Sequence, residues 1–190
     1  LLQVVVGDGT RGAAIVKHPG IKKILFTGSV ATGKRVMASA AENLTPVVLE
    51  LGGKDPMIVC EDADLDLATS AALWGGFSNS GQACASVERI LVHHSIHDEF
   101  VQLLKEKIEK LRHGGSHGPG DLGVITYEKQ KPIYESQLAE LNAANSKIII
   151  GGQFSKDKTV LFPTIVTNPD STENNFSNLP LEQLKIYTIK

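Results

Sequence analysis

KKILFTGSVATGKRVMASAAENLTPVVLEL, residues 22–51, sets two aliphatic runs on either side of a longer alanine-rich stretch. KKILFT reads as a strand, Gly28 and Ser29 as the turn that leaves it, and the run to about Asn43 as a helix. PVVLEL then reads as the next strand. A strand, a helix and a strand in roughly thirty residues make a βαβ unit, whose two strands lie parallel.

Working outward, LLQVVV (1–6) reads as an earlier strand, followed by Gly7, Gly9 and a short helix over 12–18. PMIVC (56–60) reads as a buried strand after the turn GGKD, with Cys60 inside it. The acidic run DADLDL favours a helix N-terminus through the macrodipole, and that helix runs to about Phe77 with Trp74 and Phe77 as core. ERILVH (88–93) is a further strand. Ser95 and Asp98 predict a capping box for an amphipathic helix ending near Leu111. HGGSHGPGDLG (113–123) is a loop by composition, and a helix follows over about 127–144, with Pro132 disturbing its start. KIIIGG and VLFPTIVT read as strands, and the stretch from Pro169 is polar and weakly patterned. The alternation predicts an α/β fold of parallel βαβ units, with no internal repeat.

The 190 residues suffice for one domain or two small ones, and 42% hydrophobic with 21% charged residues is ordinary for a globular chain. A formal charge of −2 offers no basic surface for nucleic acid or anionic lipid. No apolar run approaches the ~20 residues that span a bilayer. Two cysteines give no disulfide framework, so a reducing, cytoplasmic setting is expected. The abrupt opening in mid-strand, with no signal peptide, is read as a piece of a longer protein.

Three stretches carry chemistry. GSVATG (28–33) lies between a strand and a helix, where glycines let backbone approach a phosphate and the helix end presents free N–H groups. Ser29 caps the helix or bonds a phosphate oxygen; the plain alternative is an ordinary glycine turn, since the pattern is not the dinucleotide fingerprint. In LELGGKDP (49–56), Glu50 is either a solvent-facing strand residue or a partner of Lys54, or else a general base whose pKa apolar surroundings raise. In NSGQACASVER (79–89), Cys84 stands among Gly81, Ala83, Ala85 and Ser86, all too small to wall it off. It is either a half-exposed loop thiol or a nucleophile whose own backbone N–H serves the oxyanion. The histidines, at 94, 97, 113 and 117 among others, have no adjacent carboxylate or cysteine cluster, and no metal site is expected.

FTGSVATGK, LELGGKDP and GQACASVER, in this order and at this spacing, resemble the signatures of the NAD(P)-dependent aldehyde dehydrogenase superfamily. The similarity runs from Leu1 to about Pro180 and includes DADLD and the glycine–phenylalanine–proline–threonine stretch over 151–164. The resemblance implies a Cys84 thiolate that attacks an aldehyde, hydride transfer to NAD or NADP, and a Glu50 that activates water to release the acid. It also implies cofactor contacts at Gly28, Ser29, Gly33 and Leu51, and a homo-oligomer. Residues 1–51 then correspond to the later part of a Rossmann-like cofactor-binding domain, 52–180 to a partial catalytic domain and 181–190 to a divergent tail. LPLEQ is followed by LKIYTIK where the family continues into a glutamate-bearing motif for the nicotinamide ribose. The family's oxyanion asparagine and adenosine-ribose lysine have no match. Two readings follow: a working oxidoreductase, or an inactive remnant that folds and self-associates.

Overall fold

A computed structural model of the chain describes residues 2–114, 118–143 and 147–167 and the backbone of 181–187, the side chain of residue 143 excepted. His117, the helix end at 144, the polar stretch over 168–180 and the last three residues lie outside the described residues. The chain divides into two compact units, Leu1–Gly53 and Lys54–Lys190.

The first unit is built on the expected crossover. Strand β1 (Ile24–Gly28) and strand β2 (Val47–Leu51) pair in parallel, with Ile24 opposite Val47 and Gly28 opposite Leu51. Helix α2 (Val30–Ala41) connects them, and helix α1 (Gly9–Lys17) precedes them. Asp8 caps α1, accepting from the N–H groups of Thr10 and Arg11 at 3.1 and 3.3 Å. The expected strand over 1–6 does not form at residues 2–6: Leu2, Val4 and Val6 are more than four-fifths exposed. A strand is held by ladder partners, and among the described residues β1 and β2 pair only with each other.

In the second unit β3 (Asp55–Val59) pairs in parallel with β4 (Val87–His93), and helix α3 (Leu65–Phe77) connects them. Asp64 caps α3 by accepting from the Leu67 N–H at 3.0 Å. Helix α4 (His97–Glu109) packs on α3, pinned where Lys107 Nζ donates to Asp66 Oδ1 at 2.7 Å and Ser70 Oγ at 2.6 Å. Helix α5 (Lys131–Ala143) and strands β5 (Lys147–Ile150), β6 (Thr164–Thr167) and β7 (Leu181–Tyr187) follow. Pro132 sits in the first turn of α5, where its missing N–H leaves no bond unmade. The sheet runs β3-β4-β7-β6-β5, and every pairing after β3–β4 is antiparallel. The expected parallel βαβ units are β1–α2–β2 and β3–α3–β4, and the second sheet is mixed because its later strands add antiparallel. The core gathers Val59, Ile90, Val92, Phe100, Leu104 and Ile165.

Three further expectations change. β3 stops at Val59, and Cys60 is exposed beyond it. Trp74 is 76% exposed, whereas Phe77 is buried. The buried positions of α3 are Thr69, Ala72, Gly76 and Phe77, and Trp74 falls outside that face. The capping box at Ser95 does not form: His93 Nδ1 takes the Ser95 N–H at 3.4 Å and lies 2.8 Å from its hydroxyl, while Asp98 turns to His97 at 3.0 Å. Among the described residues no helix is long and apolar enough to cross a membrane.

Candidate active site

In the first unit the turn after β1 feeds directly into α2. Ser29 is the N-cap, with extended backbone; its Oγ accepts the Thr32 N–H at 3.2 Å and donates to Thr32 Oγ1 at 3.0 Å. The Gly33 N–H already bonds the Ser29 carbonyl, which leaves Val30 and Ala31 to present the free N–H groups of the helix end. Gly33 is buried against β2: a Cβ there would stand 2.8 Å from Leu51 Cδ2. Gly28, Ser29, Gly33 and Leu51 thus share one corner of the unit, with Gly28 opposite Leu51 in the ladder.

Beside that corner a cleft of about 410 Å³ separates α1 from α2. Gly9, Gly12, Ala13 and Val16 wall one side, Phe26, Val36 and the Thr32 end of α2 the other. Sequence reading missed it. Its signal was the pair Gly9 and Gly12, three apart on one helix face with nothing within 4 Å of either missing side chain.

Glu50 lies opposite Thr27 on β2 and is exposed. The apolar burial expected to perturb its carboxylate is not there. In the second unit the Lys54 ammonium forms an ion pair with Glu88, whose side chain is only 1% exposed. Arg89 Nε adds a 3.3 Å bond to the Lys54 carbonyl. Tyr134 packs near this pair, and burial first, then the Glu88 charge, pushes its phenol well above the ordinary value.

In the second unit Cys84 is exposed between Ala83 and Ala85, while Gly81 and Ser86 on either side are buried. The arch before it is left-handed at three successive residues: Asn79 (φ 53°), Ser80 (φ 57°) and Gly81 (φ 74°). Each non-glycine in that region costs about 1–2 kcal/mol, so neighbouring bonds must hold it. Ser80 Oγ donates to the Gly123 carbonyl at 3.1 Å and accepts its N–H at 2.9 Å. Gln82 Nε2 donates to the carbonyls of Asn79 (3.2 Å) and Val124 (3.0 Å), and Gln82 Oε1 accepts the Thr126 N–H and hydroxyl, each at 2.9 Å. Ser86 Oγ lies 3.2 Å from the carbonyl oxygens of Gly75 and Gly76 at the end of α3. The N–H groups of Cys84 and Ala85 find no acceptor among the described residues. An accessible thiol with unspent N–H donors suits addition to a carbonyl. Ser80, Gln82 and Glu88 went unread in the sequence, although Gln82 stands two residues before the cysteine.

Among the described residues no three histidine, cysteine or carboxylate side chains gather as a metal site. His113 stacks edge-on to Phe162 at 4.6 Å, and burial lowers its pKa.

Comparison with known proteins places these residues in context. The model of the "Aldehyde dehydrogenase family" matches residues 1–178. A probable betaine aldehyde dehydrogenase of Schizosaccharomyces pombe is 40% identical over 172 residues, covering 88% of this chain and 34% of that protein. A 4,4'-diapolycopene aldehyde oxidase of Methylomonas sp. is 42% identical over 168 residues, covering 87% and 31%. The crystal structure of a Staphylococcus aureus betaine aldehyde dehydrogenase in complex with NAD+ superposes with a TM-score of 0.80 at 34% identity, over 87% of this chain and 34% of that one. A Burkholderia pseudomallei succinate-semialdehyde dehydrogenase gives 0.81 at 34% identity, over 87% and 35%. The chain spans about a third of the length of the relatives it matches.

Proposed function

The chain belongs to the aldehyde dehydrogenase family, and from that premise we propose that its chemistry is the oxidation of an aldehyde to a carboxylic acid with NAD, through a covalent intermediate on Cys84. The observation that carries this reading is the exposed Cys84 on its braced left-handed arch, with unspent backbone donors beside it.

The dinucleotide fits the first unit. Its pyrophosphate suits the N-terminus of α2, where Ser29 and the Val30 and Ala31 N–H groups offer donors and the helix end favours negative charge. The adjoining apolar cleft has the size and lining for an aromatic base. Gly33 keeps α2 close to Leu51 at the end of β2. Bound there, the cofactor supplies a hydride acceptor. The Cys84 thiolate adds to the aldehyde carbon, and its backbone N–H donates to the developing oxyanion. Loss of hydride from that carbon leaves a thioester on Sγ. Glu50 takes a proton from water, the water oxygen attacks the thioester carbon, and the carbon–sulfur bond breaks to release the acid and the thiol; this role for Glu50 rests on the family. By their names, relatives at this similarity act on betaine aldehyde, succinate semialdehyde and 4,4'-diapolycopene aldehyde, and a small aldehyde of the first two kinds is the substrate class proposed. A cytoplasmic setting and self-association complete the reading.

A second reading keeps phosphate binding and thiol chemistry without turnover. Calorimetric titration with NAD and an assay of NADH formation with a panel of aldehydes separate the two. Aldehyde-dependent NADH that Cys84→Ala abolishes supports the first. Binding weaker than micromolar, with no NADH, supports the second.

A further inference from the structure

The proposed mechanism uses Cys84 and its N–H groups but leaves unexplained why the preceding arch is left-handed and doubly braced. The Gln82 side chain reaches from this turn to both Val124 and Thr126, more than forty residues on in sequence. Both ends of its amide are used, two donations and two acceptances, so its rotation is fixed. Ser80 makes a second reciprocal contact to the same segment at Gly123. Those bonds fix the direction in which the chain leaves Gly81, three residues before Cys84. We propose that Gln82 is a positioning residue, which locks the 79–86 arch to the 123–126 segment so that the Cys84 N–H and thiol converge on one carbonyl group. This rests on the reading of Cys84 as the nucleophile and adds to it the part that holds the donor in place.

The role is separable from simple exposure of the thiol. Alkylation by iodoacetamide is a displacement at carbon that forms no oxyanion. Acylation by p-nitrophenyl acetate does: Sγ attacks the carbonyl carbon, the tetrahedral oxygen takes the charge, and the bond to p-nitrophenolate breaks as the thioester forms. The ratio of acylation to alkylation rates therefore reads the donor, and neither reaction needs cofactor or turnover. In a Cys60→Ser background both reagents report Cys84. Gln82→Met keeps the side chain's length and removes all four hydrogen bonds; the ratio is expected to fall about tenfold, with alkylation changed by less than about twofold. Thr126→Val, at an exposed site remote in sequence, removes one of the four bonds and should lower the ratio less, in the same direction; it decides the matter if Gln82→Met does not fold by circular dichroism. An unchanged ratio in both variants, or a parallel loss of both reactions, overturns the proposal. A parent ratio no higher than that of a small free thiol overturns the nucleophile reading and this proposal with it. A high parent ratio insensitive to both substitutions overturns this proposal alone.

Discussion

Cys60 and Cys84 are both exposed, so burial does not rank them as the run PMIVC had suggested. Charge does. Cys60 is followed by Glu61, Asp62 and Asp64, whereas the neighbours of Cys84 are neutral from Asn79 to Val87. An anionic aromatic disulfide is repelled at the first site and not at the second, and the repulsion is screened over about 10 Å at 0.1 M salt. Mass-mapped labelling at low salt should find Cys84 several-fold faster than Cys60, with the gap narrowing for a neutral reagent or at high salt. Faster labelling of Cys60 by both reagents would reverse the assignment. The sequence showed Cys84 because small neighbours are visible in one dimension. It misplaced Cys60 because an apolar run does not mark where the ladder ends, and Trp74 because α3 is apolar on all sides. Only the spacing of Thr69, Ala72 and Gly76 distinguished its inner face.

At the scale of elements, β3 and β4 meet through more than their ladder. The register shifts between Asp55 and Pro56, and at that irregularity Lys54 is held by Glu88 through its ammonium and by Arg89 through its carbonyl. Glu88 is buried, so removing the ammonium takes a countercharge from a carboxylate shielded from water. Lys54 itself is 48% exposed, which moderates the effect through solvent screening. Lys54→Met is expected to destabilise the chain by about 2 kcal/mol, and Lys54→Met with Glu88→Gln to recover most of that. Urea denaturation, comparing midpoints at constant slope, measures both; equal midpoints for parent and single variant would show the pair to be idle. The crossovers β1–α2–β2 and β3–α3–β4 were legible because aliphatic runs alternate with helix-start signals, Gly28 and Ser29 before α2 and the acidic DADLDL run at α3. The Ser95 capping box was not, because His93, from the preceding strand, competes for the same backbone donor.

Across the described residues, exposed aspartates respond to acid, Asp121 and Asp157 among them. Asp121 is held down to about 2, chiefly by its hydrogen bonds from Arg112, and Asp157 to about 2 by the hydroxyl of Ser155 and the donors of Thr159. Both lie below the ordinary aspartate value of about 3.9, so the stability they contribute is complete above that pH and is lost as pH falls toward about 2. Asp121→Asn with Asp157→Asn should flatten the pH dependence of the urea midpoint in that window and leave its slope unchanged; an unaltered acid limb would assign the effect elsewhere. The α/β class was readable in the order of elements, but the antiparallel half of the second sheet was not. Order along the chain does not say where a late strand inserts. β7 goes between β4 and β6, so that Arg89 waits for Lys185 and Ile165 for Ile186. During synthesis, then, the ribosome releases β4, which ends at His93, as an open edge long before β7 begins at Leu181, and β6, which ends at Thr167, as a second edge shortly before it. For that interval each is a template for another chain, and a nascent molecule stalled there needs a chaperone more than a finished one does.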